Sequence, residues 1–165
     1  MRYADGPSVD VEVQIAAPPA RVWELVSDID LPARFSEEFQ GAEWLDDATG
    51  PAIGARFRGT NQHPAIGEWQ TTSTLVTFEP ERVFAWVVQD PDNPSASWRF
   101  ELEPSGEGTT LRQRCTLGPG PSGLSYAIEQ RPDKEERIIE RRQDEHRANM
   151  QRVLDGIKAL AESES

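Results

Sequence analysis

Between Asp133 and Ala161 the sequence keeps helical periodicity, and this one run narrows the folds open to the chain. About 28 residues at 1.5 Å each make a helix roughly 40 Å long. At 100° per residue Ile139, Gln143, His146, Met150, Val153, Leu154, Ile157, Leu160 and Ala161 fall on one face, which must pack on something. Asp133 and Glu136 have capping-box spacing at the start, with Asp in place of the usual Ser or Thr.

What lies upstream is mostly strand. Val9, Val11, Val13 and Ile15 alternate with Asp10, Glu12 and Gln14, the period of a strand with one buried face. Pro18 and Pro19 then break the strand and open a helix carrying Val22, Leu25, Val26 and Ile29, expected to end near Asp30; a short turn follows from Pro32 to about Ser36. Strands are predicted over Phe39–Leu45, Ala55–Asn61, 68–78, Arg82–Gln89, Ser97–Glu103 and Thr109–Leu117, with a hairpin turn at Ser105-Gly106-Glu107-Gly108. Their connections are too short for crossover helices, so the neighbours are antiparallel. A loop (Gly118 to Gly123) and a short helix over 124–131 lead to the long helix, and only the extreme termini read as frayed. The expectation is one α+β domain spanning 1–165, a curved antiparallel sheet around a long C-terminal helix.

Composition removes several functions. The chain has 165 residues, 36% hydrophobic and 28% charged, as in ordinary globular domains. A net charge of −12 opposes nucleic acid and anionic membranes, because affinity for either needs Lys and Arg to displace counterions. No apolar run reaches the length of a membrane span, and the first residues lack a secretory signal pattern, so a cytoplasmic location is expected. Cys115 is the single cysteine and sits in an alternating strand, where a small buried hydrophobe is the expected role.

The stripe on the long helix has a defect. It is purely apolar beyond Met150, but Gln143 and His146 interrupt it nearer its start. Polar groups on a packing face need partners, which are either internal groups or the contents of a water- or ligand-filled space. Alternation places Phe57, Asn61, Trp69, Thr71, Ser73, Phe84, Trp86, Trp98, Phe100, Gln113 and Cys115 on the opposite wall. A core built only for stability would use more Leu, Ile and Val and fewer amides and hydroxyls. The ligand-binding candidates are therefore Phe57, Asn61, Trp69, Thr71, Ser73, Trp86, Trp98, Phe100, Gln113, Gln143, His146 and Met150. Against this stands the plainer reading of each aromatic as core and of His146 as a satisfied core histidine.

Four stretches resemble a known family: Ile15-Ala16-Ala17-Pro18-Pro19-Ala20-Arg21-Val22-Trp23-Glu24-Leu25-Val26-Ser27-Asp28, Gly54 to Asn61, Arg82-Val83-Phe84-Ala85-Trp86, and Trp98 to Pro104. With the final helix, they are similar to the START/Bet v 1-like superfamily, specifically its bacterial polyketide cyclase/dehydrase and lipid-transport (SRPBCC) family. The resemblance implies a helix-grip fold, β-α-α-β6-α, with the last helix across a sheet-lined cavity. It does not choose among lipid carriage, polyketide cyclisation and ligand-gated interaction, because one fold hosts all of these.

Chemical motifs are sparse. His63 and His146 are the only histidines and neither heads a metal-ligand motif; GxSxG, GxxxxGK[ST] and GxGxxG are absent. No metal or cofactor is expected. His146 is the candidate acid or base, with Asn61 and Gln113 placed to orient a carbonyl or enolate oxygen. Three functions follow: carriage of a small hydrophobic molecule, a cyclase or aromatase using acid–base catalysis, and an interaction module. The expected partners are that small molecule and a second copy of the chain.

Overall fold

In the computed structural model, residues 1–163 are described. The elements run β1 (Ser8–Ile15), α1 (Pro19–Val26), a 3-10 turn (Leu31–Arg34), β2 (Phe39–Trp44), β3 (Arg56–His63), β4 (Gly67–Glu79), β5 (Val83–Val88), β6 (Ala96–Ser105), β7 (Gly108–Leu117), α2 (Gly123–Gln130) and α3 (Glu135–Ser163). All seven strands form one sheet in the order β1-β7-β6-β5-β4-β3-β2, with antiparallel neighbours throughout. The first strand thus returns to pair with the last, and the meander predicted from short connections fills the space between. Register shifts at Phe39/Gly41 and Leu75/Thr77 mark irregularities of the kind that bend strands and curve a sheet.

The alternation read from β1 is realised: Val9, Val11 and Ile15 are buried while Asp10, Glu12 and Gln14 face water. On the convex face Arg112 pairs with Glu12 and Arg114 with Asp10, so the charged half of each strand stays in solvent. On the concave face α3 packs against β1 and α1. Leu154, Ile157 and Ala161 have no exposed surface, matching the apolar end of the stripe.

Three boundaries differ from expectation. α1 stops at Val26 rather than near Asp30, because the Ser27 hydroxyl donates to the Trp23 carbonyl at 2.7 Å and Asp28 accepts from the Asp30 N–H at 3.0 Å. Such local side-chain bonds offer the backbone an alternative to another helical turn. The long helix begins at Glu135, after a separate 3-10 turn (Pro132–Lys134), and Asp133 makes an ion pair with Arg131 instead of capping. The N-terminus is tied down rather than frayed: Tyr3 is buried, its hydroxyl donates to the Gly120 carbonyl at 2.6 Å, and its N–H donates to Glu135 at 2.8 Å.

Gly156 shows how closely α3 is seated. A Cβ there would lie 2.5 Å from carbons of the Phe35 ring, which packs on the helix after the 3-10 turn. In an exposed helix Gly156→Ala would stabilise by about 1 kcal/mol. Here we expect it to destabilise by about 1–3 kcal/mol through overpacking, measured by urea unfolding. In a Phe35→Ala background the same substitution should become neutral or stabilising.

Candidate functional site

Between the concave face of the sheet and α3 lies a cavity of about 930 Å³, within the range of small-molecule sites. Its aromatic wall comes from strand register. Trp86 of β5 pairs with Trp98 of β6, and their rings stack 6.3 Å apart at 10°. Phe100 lies 5.9 Å and Phe57 6.0 Å from Trp86, so four rings share one side of the space. A polar strip runs beside them: Asn61 opposite Trp69, and Phe57 opposite Ser73, across the β3–β4 pair, with Thr71 between. Gln113 of β7 is the direct partner of Phe100 in the β6–β7 pair, and Met150 and His146 come from α3.

Eleven of the sequence candidates therefore line one cavity: Phe57, Asn61, Trp69, Thr71, Ser73, Trp86, Trp98, Phe100, Gln113, His146 and Met150. Gln143 is placed elsewhere. Its amide donates to the Ser8 carbonyl at 3.2 Å, at the start of edge strand β1, so this polar interruption of the helix face is answered by backbone. Cys115 is buried beneath the same wall, where burial pushes its thiol pKa up and keeps it protonated.

His146 is 9% exposed and meets the Trp98 ring edge-on at 5.2 Å. The sequence suggested a group titrating near neutrality. Instead burial, helped by the nearby Arg142 cation and only partly opposed by Glu145, pushes its pKa down to about 3. The imidazole is consequently neutral at physiological pH.

The sequence reading missed a charged cluster at the cavity edge. Arg142 of α3 grips Glu38 through two short bonds, 2.6 and 2.7 Å, and reaches Glu145 at 3.0 Å. Glu145 in turn meets His63 Nε2 at 2.7 Å. The other ring nitrogen, Nδ1, accepts from the Ala65 N–H at 3.0 Å, which places the His63 proton on Nε2, pointing at Glu145. Burial alone would raise the Glu145 carboxyl, but the bonds from His63 and Arg142 outweigh it and hold it below the usual carboxylate range. These four residues join α3 to the start of β2 and the β3–β4 hairpin. Their partners lie 82 and 104 residues apart in sequence, a distance no local pattern could bridge. The legible hint was an Arg142–Glu145 pair at i,i+3 beside the polar break. Among the described residues no group of three or more His, Cys, Asp or Glu is placed to hold a metal ion, and no helix is long and apolar enough to cross a membrane.

A helix-grip sheet enclosing an aromatic cavity defines a class, and comparison with known proteins agrees. The profile of the polyketide cyclase/dehydrase and lipid transport family matches residues 6–162, so the chain belongs to that family. The solution structure of a polyketide-cyclase-like protein from Corynebacterium glutamicum shares 31% identity, covers 95% of this chain and 92% of its own, and superposes with a TM-score of 0.67. The di-domain ARO/CYC protein StfQ of the steffimycin biosynthetic pathway shares 18% identity over 95% of this chain and 51% of its own, with a TM-score of 0.71. Ara h 8.0201 shares 15% identity over 90% of this chain and 98% of its own, with a TM-score of 0.54. The latter two bear on fold alone. No curated protein matches the chain significantly.

Two outcomes test this geometry. His146 binds fewer protons folded than unfolded between about pH 3 and its ordinary 6.5, so its contribution to stability is complete above 6.5 and is lost as pH falls towards 3. His146→Phe should therefore lose less stability than the parent between pH 6.5 and 5, read by urea titration at each pH; Arg142, Glu145 and His63 are common to both proteins. Arg142→Met strands Glu38, whose side chain is only 13% exposed, and should cost about 3–5 kcal/mol, much of it recovered in the Arg142→Met/Glu38→Met double variant.

Proposed function

We propose that this protein binds and carries a small, largely planar hydrophobic molecule in the cavity beneath α3. The observation that carries the reading is the wall itself: stacked Trp86 and Trp98, with Phe57 and Phe100 against them, around about 930 Å³. Aromatic walls supply affinity by burying apolar surface, and a few fixed polar groups supply orientation.

Carriage is favoured over cyclisation by the state of the ionisable groups. An acid–base catalyst works best with a pKa near the working pH, and His146 is far below it. Of the carboxylates lining the cavity, Glu38 and Glu145 are engaged by Arg142 and His63, and Asp28 is exposed. The cavity also weighs against an interaction module with a solid core.

The test is native mass spectrometry of freshly purified protein, followed by solvent extraction. The expected result is one reproducible apolar compound per chain, or saturable uptake of one when it is added. A protein that neither retains nor takes up any apolar compound would overturn the reading. Multiple turnover of a bound polyketone, abolished in His146→Phe, would replace carriage with catalysis.

A further inference from the structure

The inner polar groups of the cavity specify more than hydrophobicity. Gln113 is 6% exposed and stands mid-strand between Phe100 and Val11, yet its amide makes no hydrogen bond among the described residues and its Oε1 is buried without a partner. Burying an amide this way is costly unless something else completes it. His146 likewise has no hydrogen bond to the described residues and, being neutral, offers one ring donor and one ring acceptor. Both flank Trp98: His146 touches its ring, and Gln113 lies two residues along β7 from Cys115, the direct cross-strand neighbour of Trp98.

The charges, by contrast, are spoken for. Arg142 serves two carboxylates, Glu38 and Glu145, and His63 donates to Glu145 in its neutral tautomer, so the cluster carries an excess negative charge. Asp28 and Arg141, the other charged lining residues, are exposed at the rim. Among the described lining residues, the interior cation Arg142 is already paired with two carboxylates and leaves none to neutralise a carboxylate or phosphate on a ligand.

Resting on the cavity-binding reading, we propose that Gln113 and His146 are specificity-determining residues that select a ligand bearing a neutral hydroxyl on an aromatic or enolic ring. A hydroxyl both donates and accepts, so it can satisfy either end of the amide and either imidazole nitrogen. A half-turn of the Gln113 amide exchanges its oxygen and nitrogen and brings the acceptor round without moving the chain. The ring of such a ligand lies against the parallel Trp86 and Trp98 faces while its hydroxyl meets the unpartnered amide.

The experiment compares three near-isosteric probes, 2-naphthol, 2-methylnaphthalene and 2-naphthoate, by quenching of tryptophan fluorescence and by calorimetry. The parent protein should bind 2-naphthol about tenfold more tightly than 2-methylnaphthalene, about 1.4 kcal/mol, even though the methyl group is more readily expelled from water. 2-Naphthoate should bind most weakly. Gln113→Leu should erase the tenfold preference and leave 2-methylnaphthalene affinity within about twofold, and His146→Phe should reduce the preference in the same direction. If Gln113→Leu does not fold, the parent's ranking of the three probes decides by itself. Equal affinity for naphthol and methylnaphthalene would overturn the proposal and leave an unselective apolar cavity. Tightest binding of naphthoate would overturn it in favour of a charge contact with rim Arg141. Binding of none of the three would remove the cavity-binding reading along with it.

Discussion

The structure depends on how α3 is fastened, by apolar contact at one end and by polar contact at the other. Leu154, Ile157 and Ala161 seat its C-terminal end on the core with no exposed surface, and Gly156 lets Phe35 come in directly against the helix backbone. Its N-terminal end is held by Glu135 to Tyr3, Gln143 to Ser8, and Arg142 to Glu38. The polar fastening keeps the helix in place while a space remains between it and the aromatic wall.

Burial and pairing together set the surroundings of the ionisable groups beside the cavity. Buried charges need partners of excellent geometry, and the bidentate Arg142–Glu38 contact supplies one. The same guanidinium lowers the proton affinity of His146, which burial has already depressed. The guanidinium that holds the helix is thus also the secondary cause, behind burial, of the lowered His146 pKa.

The sequence made the sheet legible because period-two alternation is a local signal: β1, β6 and β7 could be read strand by strand, and the inward face with them. The polar break at His146 lies on the side of α3 that lines the cavity. Gln143 was read the same way yet turned towards β1, since helical spacing alone cannot separate two residues near the border of a stripe. The Arg142–Glu38 and Glu145–His63 contacts were illegible for a different reason: they join segments that only the closed fold brings together. His146 illustrates the same limit in electrostatics, as its identity suggested a neutral-range titration and its burial removed it.

A ligand-sized cavity of about 930 Å³ lies under α3, walled on one side by Trp86 and Trp98. Its most direct measurement is the stoichiometry of N-phenyl-1-naphthylamine binding, followed by energy transfer from tryptophan, in the parent and in Thr71→Trp, which fills the space from β4. Saturable one-to-one binding with strong transfer is expected in the parent, and its loss in a Thr71→Trp variant that unfolds at an unchanged urea midpoint. Undiminished binding in the filled variant would contradict it.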